Sequence, residues 1–316
     1  MAVPANTIQN VARVGVREDL DDKIAELFPD ETPFQGAIGR SSASATYTEW
    51  QTDGLAAANH DNKTIQGDDL ANESRANTVR VGTHTQIFKK VVGASTTVEA
   101  TTKAGRRSEL AREVMKAGRE LRTDKEKRFL GNYASVAATS GVAGETAGAL
   151  AWLTSNVSRN GAGASGGFSA GIVAAATNGT QRAYTETLLK TVLQAVWAAG
   201  GTPRMVFTNG TQKQTAAAFS GIAQQRRETG NKKATIIGGA DIYVSDFGEV
   251  QFVPDRYASA RDALIIDPEY WDIATLDPMK TMELAKTGLA TRKALYEESA
   301  LRCLNQAASG VVADLT

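Results

Sequence analysis

One cysteine, two histidines and no surplus of charge limit what this 316-residue chain can do. A lone Cys303 excludes a disulfide framework and any cysteine-cluster zinc or iron–sulfur site. His60 and His84 leave little for imidazole-based metal or acid–base chemistry. Lys plus Arg (35) cancel Asp plus Glu (35), which argues against a protein whose main task is gripping nucleic acid, because phosphate binding leaves a basic surplus. No apolar stretch approaches the ~20 residues of a membrane-crossing helix; FSAGIVAAA at 168–176 is among the longest. The opening MAVPANTIQN has neither the basic start nor the apolar run of a secretory signal. What the chain does have is a 42% apolar share and length for one or two domains of about 150 residues, enough to build a sizeable core and to exclude global disorder.

The order of segments is unusual. In VREDLDDKIAELFPD, Leu20, Ile24 and Leu27 fall on one helical face and Pro29 ends the pattern, which predicts an extended arm carrying one short helix. TYTEW at 46–50 and TVRVGTHTQIFKKVV at 78–92 read as strands. Between them lie 27 polar, aperiodic residues, 51–77, and a loop of that length is uncommon inside a compact domain. As one hairpin with about 15 residues per arm it would reach about 50 Å, well beyond a domain of about 20 Å radius of gyration. Isolated ribbons are marginal in water, so it needs support from outside its own domain, and a neighbouring subunit is the natural source.

Residues 96–132 are expected to form one long helix. Thr96 and Glu99 have the spacing of a capping box, and Leu110, Val114, Ala117 and Leu121 form a narrow apolar stripe. Ten basic and six acidic residues between 99 and 128 leave a +4 surplus, which suits either a solvated helix laced with ion pairs or a face that receives an acidic segment. The Ala/Gly/Ser-rich stretch 134–182 contains no phosphate-loop signature and reads as a surface insertion. From 183 the pattern becomes mixed: a helix over 185–201, a strand at 203–210, a helix over 211–226, and a hairpin around Asp246 and Gly248 at 240–256. Two short strands bounded by Asp-Pro turns follow, and then strands returning to the main sheet from Met279 onward, although KALYEESALRCLN also has a helical pattern.

No catalytic, cofactor-binding or metal site emerges. Asp246-Phe247-Gly248 matches the kinase metal-binding tripeptide but lacks the accompanying loops, so it reads as a turn. Cys303 with His84 could form a thiol–imidazole pair, yet a lone cysteine among apolar neighbours is more often a small core residue. Asp61, Asp68 and Asp69 lack the spacing of a calcium loop.

Three ordered strings carry more information: VREDLDDKIAELFPDETPFQGAIGR at 16–40, TYTEWQTDGLAAA at 46–58, and QIFKKVVGASTTVEATTKAGRRSELAREVMKAGRELRTDKEKRFLGN at 86–132. With LAWLTSN at 150–156, they make the chain resemble the major capsid proteins of tailed bacteriophages (Caudoviricetes) over nearly its whole length. That family has the Johnson-type fold shared with herpesvirus capsids and encapsulins. The resemblance implies an α+β protein with an N-terminal arm (1–36), an extended β-hairpin E-loop (37–95) and a peripheral domain (96–182) holding a spine helix and a Gly-rich insertion. An axial domain (183–262) and peripheral return strands (263–316) would follow.

It further implies pentamers and hexamers of this chain forming an icosahedral head around double-stranded DNA, in the virion and assembled in the host cytoplasm. No enzyme activity, cofactor or membrane partner is implied. Portal and scaffolding proteins, a decoration protein, and packaged DNA held by weak non-specific contact would be the other partners. Some relatives carry a long N-terminal scaffolding extension, whereas the arm pattern here begins almost at once; a separate scaffold or a mature form would account for this. An encapsulin-like compartment shell is the nearest alternative, and a soluble α+β enzyme or binding protein a remote one. On the shell reading, Asp53, Asp61, Asp68, Asp69 and Glu73 of one E-loop would meet the basic excess of a neighbour's spine helix, at Arg106, Arg107 and Arg119 among others. Trp50 and Leu55 would act as apolar anchors, and each exposed charge pair would contribute about 1 kcal/mol or less.

Overall fold

The computed structural model describes residues 27–70, 72–103, 105, 107–219, 242–286 and 288–316. Most of the helix expected in the N-terminal arm, including Leu20 and Ile24, lies outside the described residues, as does Arg106. The chain passes through a five-residue helix α1 (Pro33–Ala37), then β1 (Gly39–Ser42). A ribbon of β2 (Tyr47–Thr52) and β3 (Val79–His84) follows, and after one residue the long strand β4 (Gln86–Ser95) begins. Next come α2 (Thr96–Ala100), α3 (Glu109–Leu130), α4 (Ala149–Trp152), β5 (Val157–Ser158) and a small hairpin of β6 (Gly167–Ser169) and β7 (Ile172–Ala174). Then α5 (Glu186–Ala198), β8 (Met205–Thr208) and α6 (Gly210–Ala217) lead to the hairpin β9 (Ile242–Ser245) and β10 (Gly248–Pro254). The described chain ends with β11 (Ala263–Ile266), β12 (Trp271–Glu283), β13 (Ala290–Cys303) and β14 (Gly310–Val312).

Two sheets organise these elements. One has the order β1-β12-β13-β4, and the other has the order β5-β14-β11-β8-β10-β9. In the first, β13 pairs antiparallel with both β12 and β4, so the segment that also read as a helix is a central strand. Its alternation is decisive: Leu295, Glu297, Ser299 and Leu301 share one face, which is buried against α3 and the residues around α4. In the second sheet, α5 packs on β14 through Leu189, Val192, Leu193 and Val196, all buried. One apolar cluster lies between α3, the first sheet and residues 147–153, and another lies between the second sheet and α5.

The structure corrects three expectations. The long helix is broken. Ser95 rather than Thr96 caps α2, and Ser108 caps α3 by accepting from the Ala111 N–H at 3.2 Å. Glu99 does not close a box with Thr96; its Oε1 accepts from Leu110 N–H at 2.7 Å and so caps the second helix. The break holds two β-branched residues, Thr101 and Thr102, and Gly105 at φ +73°. The spine proper is 22 residues, about 33 Å rather than 50 Å.

Second, the Gly-rich stretch is not only a surface insertion. Ala147 and Ala149–Leu153 are buried, and a Cβ on Gly148 would lie 2.0 Å from the Gly131 carbonyl oxygen, so glycine there permits backbone contact with the end of α3. Third, the Asp277-Pro278 pair is not a turn. β12 runs through it with shifted register between Thr275 and Lys280, beyond the point where its pairing with β1 ends at Thr275. Proline, which donates no backbone hydrogen bond, is tolerated there because one side of the strand is open. The hairpin around Asp246 and Gly248 is formed as expected, with Gly248 at φ +129°.

Phe34 anchors the N-terminal segment: it is fully buried, edge-on to Phe207 at 5.3 Å and to Trp271 at 6.2 Å. Phe34→Ala is expected to lower stability by about 3–5 kcal/mol in chemical denaturation, because the site is too tightly enclosed to collapse.

Candidate interaction surface

The ribbon β2–β3 projects from a base that belongs to the chain's own core. Thr, Tyr and Trp residues favour a pleated, half-buried ladder, and the register runs from Tyr47↔His84 to Thr52↔Val79. At the base, the Tyr47 and His84 rings lie 4.6 Å apart, and burial lowers the His84 pKa. Trp50 packs at a tilt 5.5 Å from Trp152, donates from Nε1 to Leu304 O at 3.2 Å, and has Arg302 over its ring at 5.8 Å. The half-buried Trp50 ring thus packs within its own chain.

Beyond Thr52 the ladder stops. Every described residue of 53–78 is exposed, including Leu55 at 100%, Ile65 at 77% and Leu70 at 77%. Among the described residues, the polar contacts of 53–77 stay inside the segment: Lys63 with Asp61 at 2.6 Å, Arg75 with Glu73 at 3.8 Å, and short-range bonds at Asp53, Asn59 and Asp68. Thr78 bonds only the ribbon, at Gln51. The expected 50 Å hairpin is therefore a six-pair stem carrying a 26-residue loop. Five acids and two bases give that loop a charge of −3. Asp53, Asp61, Asp68, Asp69 and Glu73 all lie on it, fully accessible.

The basic residues of α3 divide into two groups. Several are engaged within the chain. Arg119 faces Asp30 at 3.6 Å and stacks on Phe28 at 5.4 Å. Arg112 pairs with Glu109 and Glu113, and Arg128 reaches Glu145 at 2.9 Å and the carbonyls of Ala134 and Thr146. Lys125 forms a buried ion pair with Glu297 of β13. Burial lowers the Lys125 pKa and the Glu297 carboxylate opposes that shift. Arg107, Arg122 and Lys127 remain exposed. Of the three cations expected to receive a partner, Arg107 is thus accessible, Arg119 is occupied by the N-terminal segment, and Arg106 lies outside the described residues.

Two buried charged groups of α3 escaped the sequence reading. Lys125 was detectable, because it continues the stripe of Leu110, Val114, Ala117 and Leu121 at the next i+4 position. Glu126 carried no such signal; its carboxylate caps α1, bonding Phe34 N–H at 2.6 Å and Gln35 N–H at 3.1 Å. Cys303 is buried at the end of β13, and burial pushes its thiol pKa up, which fits the core reading and not a nucleophile. Among the described residues, no group of three or more His, Cys, Asp or Glu is arranged to hold a metal.

Comparison with solved structures defines the class. The fold matches a chain of the cyanophage A-1(L) capsid asymmetric unit with a TM-score of 0.69 at 13% identity, covering 98% of this chain and 100% of that one. It matches a chain of the native GTA particle capsid with a TM-score of 0.63 at 12% identity, covering 99% and 100%. This is the α+β, Johnson-type fold of tailed-phage capsid proteins. At the sequence level, the major capsid protein of Escherichia phage Phieco32 is 36% identical over 111 residues, 35% of this chain and 32% of that protein. That match spans only about a third of the relative's length. The family model of the SU10 major capsid protein matches residues 3–316, and the chain belongs to that family.

The Lys125–Glu297 pair makes a sharp test of how α3 is fixed to the sheet. Lys125→Met alone should cost about 3–5 kcal/mol by urea unfolding, whereas Lys125→Met with Glu297→Leu should recover most of the loss.

Proposed function

We propose that this chain self-assembles, as pentamers and hexamers, into the icosahedral head that encloses the double-stranded DNA of a tailed phage. The observation that carries the mechanism is the 26-residue loop whose contacts among the described residues are local and whose Leu55, Ile65 and Leu70 side chains are largely bare to solvent. Ordering such a segment costs about 1–2 kcal/mol per residue in backbone entropy, and its own protomer offers no burial to offset that. A second copy supplies the missing surface. In this reading residues 37–95 act as the E-loop, 96–182 with 263–316 as the peripheral domain, 183–262 as the axial domain, and 1–36 as the arm. Portal, scaffolding and decoration proteins are further partners, assembly takes place in the host cytoplasm, and near-neutral charge leaves the wall weakly attached to the genome.

Head-to-tail contacts of this kind are heterologous and close into a ring only at the correct rotation per subunit, so register matters. Asp53, Asp61, Asp68, Asp69 and Glu73 set it against exposed cations of the neighbour, Arg107 among them, and Leu55 is the apolar anchor. Trp50 and Arg119 add to the contact with what remains exposed of them beside their partners Trp152 and Asp30 in their own chain. Each exposed pair contributes about 1 kcal/mol or less, and strength comes from their number.

A single Asp68→Lys change is therefore expected to raise the critical concentration for assembly by less than about fivefold. Reversing all five acids together with Leu55→Asp should abolish hollow particles in electron micrographs while circular dichroism reports a folded subunit. Normal particles from that variant would contradict the docking mechanism.

A further inference from the structure

The N-terminal segment meets α3 and the end of β10 at two buried carboxylic acids. Glu126 is fully buried; Oε1 accepts from Phe34 N–H at 2.6 Å, and Oε2 accepts from Gln35 N–H at 3.1 Å and Gln35 Nε2 at 2.8 Å. Asp255, 2% exposed, follows β10 and accepts from Tyr257 N–H through Oδ1 at 2.7 Å. Its Oδ2 is buried without a hydrogen-bond partner, the Ala258 N–H lies close enough to the carboxylate to favour its ionised form, and the neighbouring side chain is the Glu126 carboxyl. Two acceptors thus meet in a buried site. If both are ionised they repel; if one is protonated, its O–H donates to the other and both are satisfied.

No cation among the described residues forms an ion pair with either group. On α3, Arg122 is exposed, Arg119 faces Asp30, and Lys125 is held by Glu297. Beside Asp255, Arg256 is exposed and the Tyr257 hydroxyl donates to Pro29 O. From α6, Lys213 donates to Phe252 O, and α1 brings no charge at all. A proton is the remaining way to relieve the pair.

We propose that Glu126 and Asp255 are a proton-dependent latch: while they share a proton, segment 28–38 is clamped onto α3 and the end of β10, and loss of that proton to solvent releases it. Burial first, then Asp255, pushes the Glu126 pKa up to about 8, and burial raises Asp255 too. A carboxyl whose docked pKa is raised holds a proton that the released form gives up. Its stabilisation of docking is complete below the ordinary carboxylate range and is lost as pH rises through about 8. The latch is a property of one protomer and stands whether or not shells form.

Amide hydrogen exchange on unassembled protein tests this, with rates corrected for the intrinsic effect of pH. Between pH 7 and 9.5, protection of peptides covering 28–38 should fall about tenfold, the one-site linkage expected for a docked pKa of about 8 that returns to the ordinary carboxylate range on release. Peptides from β12 and β13 should hold their protection. Asp255→Asn, whose amide donates to Glu126 in place of the shared proton, should flatten the response; should that variant misfold, Glu126→Gln is measured in the same way. Unchanged protection in the wild type, a loss shared with β12 and β13, or an equally steep fall in the variant would each overturn the latch.

Discussion

A chain can order a segment only by giving its backbone and side chains something to bury against or bond to. Among the described residues, 53–70 and 72–78 find neither within their own chain: they are accessible, and their polar groups turn to near neighbours in sequence. The rest of the molecule is arranged so that this does not matter to the fold. Two apolar clusters, one under α3 and one under α5, close without the loop. The two described clusters thus form without the loop, which leaves its surface to other contacts.

The frame that carries the loop is stiff where it must be. β4 and β13 pair over ten positions and α3 lies across them, joined by Lys125–Glu297 and by the edge-on contact of Phe88 with Phe129 at 6.0 Å. β3 leads into β4 with only Thr85 between them, and Thr85 donates to Glu298 of β13 at 2.5 Å. The ribbon's direction is therefore fixed by the sheet, and Trp50 fixes its root through Trp152 and Leu304. A loop on such a stem has freedom along its own length but little at its origin, which suits a contact that must find the same place on every neighbour.

The fold was legible wherever one periodicity dominated. The stripe from Leu110 to Leu121, the helix ending at Gly200, the strand at 205–208 and the turn at Gly248 each follow from local pattern. Reading failed where a local signal had a tertiary rival. Thr96 and Glu99 have capping-box spacing, but Glu99 found a better acceptor role eleven residues on, at Leu110. Glycines at 134–182 suggested looseness, yet at Gly148 and Gly179 they permit backbone contacts no Cβ would allow. The exposed acids of the candidate site were legible because loops of that composition bury little. The division of the cations was not, since occupation of Arg119 by Asp30 and Phe28 depends on where a distant segment lies. Nor was the pairing of Glu126 with Asp255, 129 positions apart, which no spacing rule connects.

On the proposed function, the 53–78 loop is covered by a second copy. Lys63 and Arg75 are both exposed on it and give trypsin two cleavage sites. The most direct measurement is the rate of tryptic cleavage at these two positions in free subunits and in assembled particles, with a rapidly cut arm or tag as an internal standard. Cleavage should be rapid in free subunits and slowed by orders of magnitude in particles that remain intact. Equal rates in both states, with shells still whole in micrographs, would show that the loop lies bare on the finished particle and would contradict the account.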